Sequence, residues 1–134
     1  MLKIPMLSLA LSFAALVALP ATPQLHVLTY VAVPAHPGNN RNSEATILNL
    51  RHHRLLLAWT EFYSSNGRDS GPARISAMTS NNGGRTWSGQ RVLQPNIGQL
   101  NVMEANLLRL HDGKIFFVFV RKNSSADCTP LYRI

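Results

Sequence analysis

A single cysteine, Cys128, is all the thiol chemistry this 134-residue chain has, so no disulfide can form within it. A lone thiol is expected to pack as a small apolar side chain. Acidic residues are also scarce: six Asp and Glu stand against thirteen Lys and Arg, for a formal net charge of +7. Ten of the basic residues are arginines, spread along the sequence with no basic run or helix to gather them. That distribution argues against a nucleic-acid partner. A generally positive field favours an acidic substrate; the alternative is an ordinary solvated surface. Metal-ligand spacing is missing too, since His52 and His53 are adjacent and Cys128 stands alone, and no cofactor is implied. Beyond residue 24 no stretch of helical period is long enough to form a helix.

What is present begins with Lys3, followed by apolar and small residues from Met6 to Leu19 and a helix-breaking Pro20-Ala21-Thr22-Pro23. The run matches a signal-peptide core and falls short of the roughly 20 residues of a membrane span. Residues 1–23 therefore read as a signal helix, and the mature chain as exported, periplasmic or extracellular, with no membrane span after signal removal. Residues 24–134 read as all strand. Leu25–Val33 is a β-rich run closed by Pro34 and the Pro37-Gly38-Asn39-Asn40 cluster. Further strands are expected at Ala45–Leu50, Leu55–Phe62, Ala73–Thr79, Gln90–Leu93, Asn106–Leu110 and Ile115–Val120. Asp112-Gly113 marks a tight hairpin. Asn123-Ser124-Ser125 fits a glycosylation acceptor in a eukaryotic source.

The octapeptide Ser80-Asn81-Asn82-Gly83-Gly84-Arg85-Thr86-Trp87 reads as a hairpin with a built-in plug. Asn82 can bond the amides of its own turn, Ser80 and Thr86 add hydroxyls, Gly84 or Gly83 supplies positive φ, and Trp87 brings a large apolar surface. An ordinary Asn-Gly hairpin beside a core tryptophan is the plainer alternative. A second signal is internal. Glu44-Ala45-Thr46-Ile47-Leu48-Asn49-Leu50 maps onto Glu104-Ala105-Asn106-Leu107-Leu108-Arg109-Leu110 sixty positions on, and the apolar run Leu55–Trp59 maps onto Ile115–Phe119. Self-similarity of this length, with four short strands per unit, is the sequence form of a β-propeller blade. Blade one is expected at about 41–94 and a truncated blade two at about 101–134, an incomplete propeller in which the octapeptide should recur near residue 140. A blade and a half leaves strand edges unpartnered, so the chain alone is expected to aggregate or stay partly unfolded. A small self-sufficient sandwich is the alternative fold.

The spacing Ser80-x-Asn82-x-Gly84-x-Thr86-Trp87 resembles the Asp-box of the sialidase (neuraminidase) superfamily, with asparagine at the usual aspartate position. Arg41-Asn42-Ser43-Glu44 and Pro72-Ala73-Arg74-Ile75 look similar to bacterial BNR-repeat sialidase-like proteins. The resemblance implies an N-terminal part of a six-bladed propeller and a retaining exo-α-sialidase that removes terminal sialic acids from glycans. It places Arg41 as the first of three arginines gripping the substrate carboxylate, a task suited to a fixed-charge, bidentate donor. Asp69 matches the general acid and base, and the neighbouring Arg68 is expected to lower its pKa. Asn101, sixty residues after Arg41, becomes a supporting or substrate-contact residue, and Glu44 and Glu104 are expected to bond strand ends. The family's tyrosine nucleophile, its glutamate and the other two arginines belong to later blades, so the chain by itself is expected to lack hydrolase activity. Glu61-Phe62-Tyr63 departs from a pattern that often has arginine there. Read without the resemblance, Arg41 is a strand-capping arginine and Asp69 an exposed loop carboxylate. The competing function is a non-catalytic Asp-box propeller that binds glycans or proteins.

Overall fold

Short connections decide this topology. The computed structural model describes residues 27–64 and 66–134; the expected signal peptide lies outside the described residues. Seven strands run β1 (Asn39–Asn49), β2 (Leu55–Tyr63), β3 (Ala73–Ser80), β4 (Ser88–Gln94), β5 (Asn101–Arg109), β6 (Ile115–Lys122) and β7 (Cys128–Arg133). Each pairs antiparallel with its chain neighbour, giving one sheet in the order β1-β2-β3-β4 and a second in the order β5-β6-β7. The all-β expectation holds for the described residues, and six of the seven strands overlap a run singled out by alternation and turn signals.

The two hairpins that open the sheets close alike: Leu50 N–H donates to Arg54 O at 2.7 Å, and Leu110 N–H donates to Lys114 O at 2.9 Å. Gly113 takes the left-handed backbone of the second turn at φ 85°. The first turn does it with His52 and His53, at φ 59° and 57°, a conformation that costs non-glycine residues about 1–2 kcal/mol each. Pairing on the far side of these strands tolerates that strain, since β2 holds β3 without a break from Leu55 opposite Ser80 to Phe62 opposite Ala73.

The sixty-residue repeat is written into the backbone as well. Both first strands are bulged, between Ser43 and Thr46 in β1 and between Met103 and Asn106 in β5. Each bulge contains a glutamate with positive φ, Glu44 at 51° and Glu104 at 63°. The spacing then changes. Ten residues, 63–72, separate the paired Phe62 and Ala73, whereas five, 123–127, separate their counterparts Lys122 and Cys128. A restart of the octapeptide near residue 140 assumed constant spacing, which this shorter connection breaks.

Alternation puts Leu56, Ala58, Ile75 and Ala77 on one face of the first sheet, and these meet Val102, Ala105, Phe117 and Phe119 of the second. Ala58 and Ala77 are register partners. Their small side chains leave room for the rings of Phe117 and Phe119, stacked 5.1 Å apart. Phe62 and Ala73 pack against Met103 and Val120 to extend this core upward. Strand β2 is buried along almost its whole length, so it is covered on both faces.

The expected strand over Leu25–Val33 does not form in its described part, residues 27–33, which make no ladder. Leu28, Tyr30, Ala32 and Val33 instead line open clefts on the outer face of the first sheet together with Leu55, Leu57, Trp59 and Trp87. Strand propensity becomes a strand only beside a free edge, and this segment crosses a face.

The link between the sheets folds back tightly on itself. Asn96 Nδ2 donates to Leu100 O at 3.0 Å, Asn96 Oδ1 accepts from Gly98 N at 2.9 Å, and Leu100 N donates to Lys122 O at 3.0 Å. A Cβ on Gly98 would sit 2.5 Å from both Asn101 O and Lys122 O. Gly98→Ala is therefore expected to destabilise by about 1–3 kcal/mol, because two ladder carbonyls must move to admit a methyl group. Urea unfolding of the two proteins checks this, and equal midpoints would show that the approach is not tight.

Candidate functional site

Arg41 enters near the start of β1, two residues inside a strand end that Gly38 supports by accepting a 2.9 Å hydrogen bond from Ser64 N. The connection from β2 to β3 curls over it. Gly67, at φ 75°, brings that loop so near that an added Cβ would lie 3.2 Å from the Arg41 Cβ. The Arg41 guanidinium makes four hydrogen bonds. Nε donates to Ser43 Oγ at 3.0 Å, Nη1 to Gly67 O at 3.3 Å and to Asp69 Oδ1 at 2.5 Å, and Nη2 to Glu44 Oε1 at 3.0 Å. Its Cζ lies 4.5 Å from the centroid of the Phe62 ring, which backs the planar group from below.

Asn101 holds the same loop from the second sheet. Fully buried at the head of β5, its Nδ2 donates to Asp69 O at 2.8 Å and to Gly71 O at 2.9 Å. Its Oδ1 has no partner among the described residues. Thus Arg41, Asp69 and Asn101, expected to share one mouth, do lie together. The octapeptide lies at the other end of the first sheet, since Ser80 pairs with Leu55.

The Asp69 carboxylate is mostly exposed, and the hydrogen bond and positive charge of Arg41 hold its pKa below the ordinary 3.8. The cause differs from the expected one: Arg41 is the partner, and Arg68 takes no part in the shift. At neutral pH Asp69 is therefore a carboxylate.

Two glutamates matter more than sequence reasoning allowed. Glu44 binds Arg41 with one oxygen, and its Oε2 accepts the backbone N–H of Glu104 at 3.3 Å, which ties β1 to β5 across the sheets. The matching Glu-Ala pairs sixty apart were the visible signal; the bulge that aims Glu44 was not. Glu61 is 4% exposed on the outer face of the first sheet. Arg74, its register partner, binds it in a fork, Nε to Oε2 at 2.8 Å and Nη2 to Oε1 at 3.2 Å, while Ser76 Oγ donates to Oε2.

Burial works to raise the Glu61 pKa, but the hydrogen bonds from Arg74 and Ser76 and the Arg74 charge outweigh it, leaving the group below the usual 4.5. A depressed folded-state pKa stabilises above about pH 4.5, and that stability is lost as pH falls through the folded value. Glu61→Gln is expected to destabilise by about 1–3 kcal/mol at pH 7, less than for a fully buried pair because Arg74 is partly solvated. It should also flatten the acid limb of a stability–pH curve. A variant whose acid limb is as steep as the parent's would remove Glu61 from that role.

The octapeptide folds as its residues require. Ser80 Oγ accepts from Gly84 N at 2.9 Å and Asn82 N at 3.3 Å; Asn82 Oδ1 accepts from Thr86 N at 2.9 Å, and Asn82 Nδ2 donates to Thr86 Oγ1 at 2.8 Å. Both Gly83 and Gly84 take positive φ, and half-buried Trp87 rests against Gly84. Cys128 is exposed rather than packed, because β7 is an edge strand with few neighbours. Asn123 is engaged at both ends of its amide, Nδ2 to Asp127 at 2.8 Å and Oδ1 from Gln99 N at 3.0 Å, so it fastens a turn.

Among the described residues, no group of three or more His, Cys, Asp or Glu side chains could hold a metal ion, and no helix is long and apolar enough to cross a membrane. The chain matches no protein-family model and no curated protein.

Proposed function

We propose that the two sheets are neighbouring blades of a sialidase-like β-propeller in an exported glycoside hydrolase, and that the Arg41–Asp69 pair marks its substrate mouth. The observation that carries this reading is one guanidinium shared by Ser43, Glu44 and Asp69, with Asp69 on a loop fixed from the next sheet by Asn101. An anionic sugar entering the mouth competes with Asp69 for the outer edge of Arg41. In this reading the sugar carboxylate takes the fork and Asp69 is displaced toward the glycosidic oxygen. Its pKa rises once its cationic partner is shared, and it then donates the proton to the leaving group. Asn101 keeps the loop in place during the exchange, and its free Oδ1 remains an acceptor. Sialic acid is the proposed acidic sugar because the Asp-box and the Arg41-Asn42-Ser43-Glu44 entry resemble that family.

Asp69 held as a carboxylate also suits a glycan-binding propeller without catalysis, and one experiment separates the two. The gene product that carries this chain is titrated with a sialoside by calorimetry and assayed for its hydrolysis. Arg41→Ala is expected to weaken binding about 10–100-fold, the worth of one charge-assisted pair. Unchanged affinity would remove Arg41 from recognition. Sialoside binding without turnover would select the binding propeller.

A further inference from the structure

Arginines that look scattered in sequence are gathered by the fold. Leu55 pairs with both Asn49 and Ser80, so the β1–β2 turn and the octapeptide emerge at one end of the first sheet. Arg109 brings the β5–β6 turn beside them: Nη2 donates to Asn49 O at 2.7 Å and Nη1 to Gly113 O at 2.9 Å. Those turns expose Arg51, Arg54, Arg85 and Lys114, and Arg91, Arg109 and Arg133 stand on the adjoining strands. Their one acidic neighbour, Asp112, is already paired with Lys114 at 3.0 Å. The other acids of the chain (Glu44, Glu61, Asp69, Glu104 and Asp127) lie at the opposite end or in the bulges, balanced by Arg41, Arg68, Arg74, Arg121 and Lys122. The whole positive excess of the described residues therefore sits at the turn end. Among the described residues Arg51, Arg54, Arg85, Arg91 and Arg133 make no ion pair.

We propose that this turn end is a second binding surface, for an anionic polysaccharide bearing sulfate or carboxylate groups. It lies opposite the Arg41–Asp69 mouth and does not depend on what that mouth does. Guanidinium groups form paired hydrogen bonds with sulfate and carboxylate, and six of the seven cations here are arginines. The surface is held rigid before anything binds, by Arg109 across the two hairpins and by the Ser80–Asn82 plug in the third turn, which lowers the ordering cost of association. Two other polyanions fit less well. The turn tips, residues 51–54, 81–86 and 111–114, contain no apolar side chain to enter a bilayer and no Phe, Tyr or Trp to stack on a base, their only rings being the small imidazoles of His52, His53 and His111.

The test measures binding of the full chain to heparin, as the sulfated probe, and to polygalacturonate, as the carboxylate probe, over a series of salt concentrations. Both should bind at about 0.15 M salt, with affinity falling as salt rises. Arg51→Gln/Arg54→Gln/Arg85→Gln should weaken binding at least about tenfold and reduce the log–log salt slope by about 2–3. Arg68→Gln, at the other end, should change neither. Binding to one probe alone names the anionic group. A triple variant that binds like the parent would overturn the proposal, as would an equal loss in Arg68→Gln. Tighter binding to duplex DNA or to anionic vesicles than to either polysaccharide at equal salt would overturn the choice of partner. The unaltered chain gives an independent check: a salt slope near zero rules out a polyanion surface, whatever the variants do.

Discussion

Asp69→Asn is expected, on the sialidase reading proposed above, to lower kcat toward an alkyl sialoside by about 10²–10⁴-fold, the range of a single general acid. In the free protein Arg41 keeps Asp69 ionised and its pKa below 3.8. Only the protonated form donates, so kcat/KM, which reports the unliganded protein, should rise as pH falls. In the complex the substrate carboxylate draws on the same guanidinium, the carboxyl loses part of its partner, and its pKa moves up. The plateau of kcat should then extend to higher pH than that of kcat/KM. An aryl sialoside, whose leaving group departs without help, should lose much less than an alkyl one in Asp69→Asn. Equal losses for the two substrates would show that Asp69 positions the site and does not protonate the leaving oxygen. Undiminished turnover would take it out of the mechanism.

Why the octapeptide could be read before any coordinates, while the ion pair of Arg41 with Asp69 could not, comes down to range. The octapeptide is local: Ser80, Asn82 and Thr86 reach only one another's turn, so residue types and spacing suffice to place every hydrogen bond. Hairpins at 50–54 and 110–114 are equally local. Glu44 is different, because its role depends on a bulge that inserts it at positive φ, and nothing in Ser43-Glu44-Ala45 requires a bulge. Glu61 reads as a solvated strand residue until Arg74 is seen opposite it, a matter of register across a ten-residue loop. Segment 27–33 has strand composition but finds no edge. The basic turn end is the extreme case: arginines from three separate turns become neighbours only when two sheets pack, and no linear scan of charge detects that.

Phe119→Ala is expected to cost about 3–5 kcal/mol, the range for emptying a buried aromatic site. At about 3–5 °C per kcal/mol for a chain of this size, the melting midpoint should fall by roughly 10–25 °C. Phe119 is 1% exposed and belongs to the second sheet, yet it packs in the same cluster as Ala58, Ile75 and Ala77 of the first. Alanines at the facing positions cannot expand to refill the space, so the cavity persists. Both tryptophans, Trp59 and Trp87, belong to the first sheet or its turn, so fluorescence reports on that sheet alone. If the sheets are one cooperative unit, a substitution in the second must lower the fluorescence midpoint of the first by the full amount. Leu108→Ala, at a site 60% exposed on the free face of the second sheet, should stay within about 0.5 kcal/mol of the parent. A Phe119→Ala protein with an unshifted tryptophan transition would mean that the sheets unfold separately. The shared core would then not fix the relative position of Arg41 and Asn101, and the mouth would have to be held by the hydrogen bonds of Asn101 and Glu44 alone.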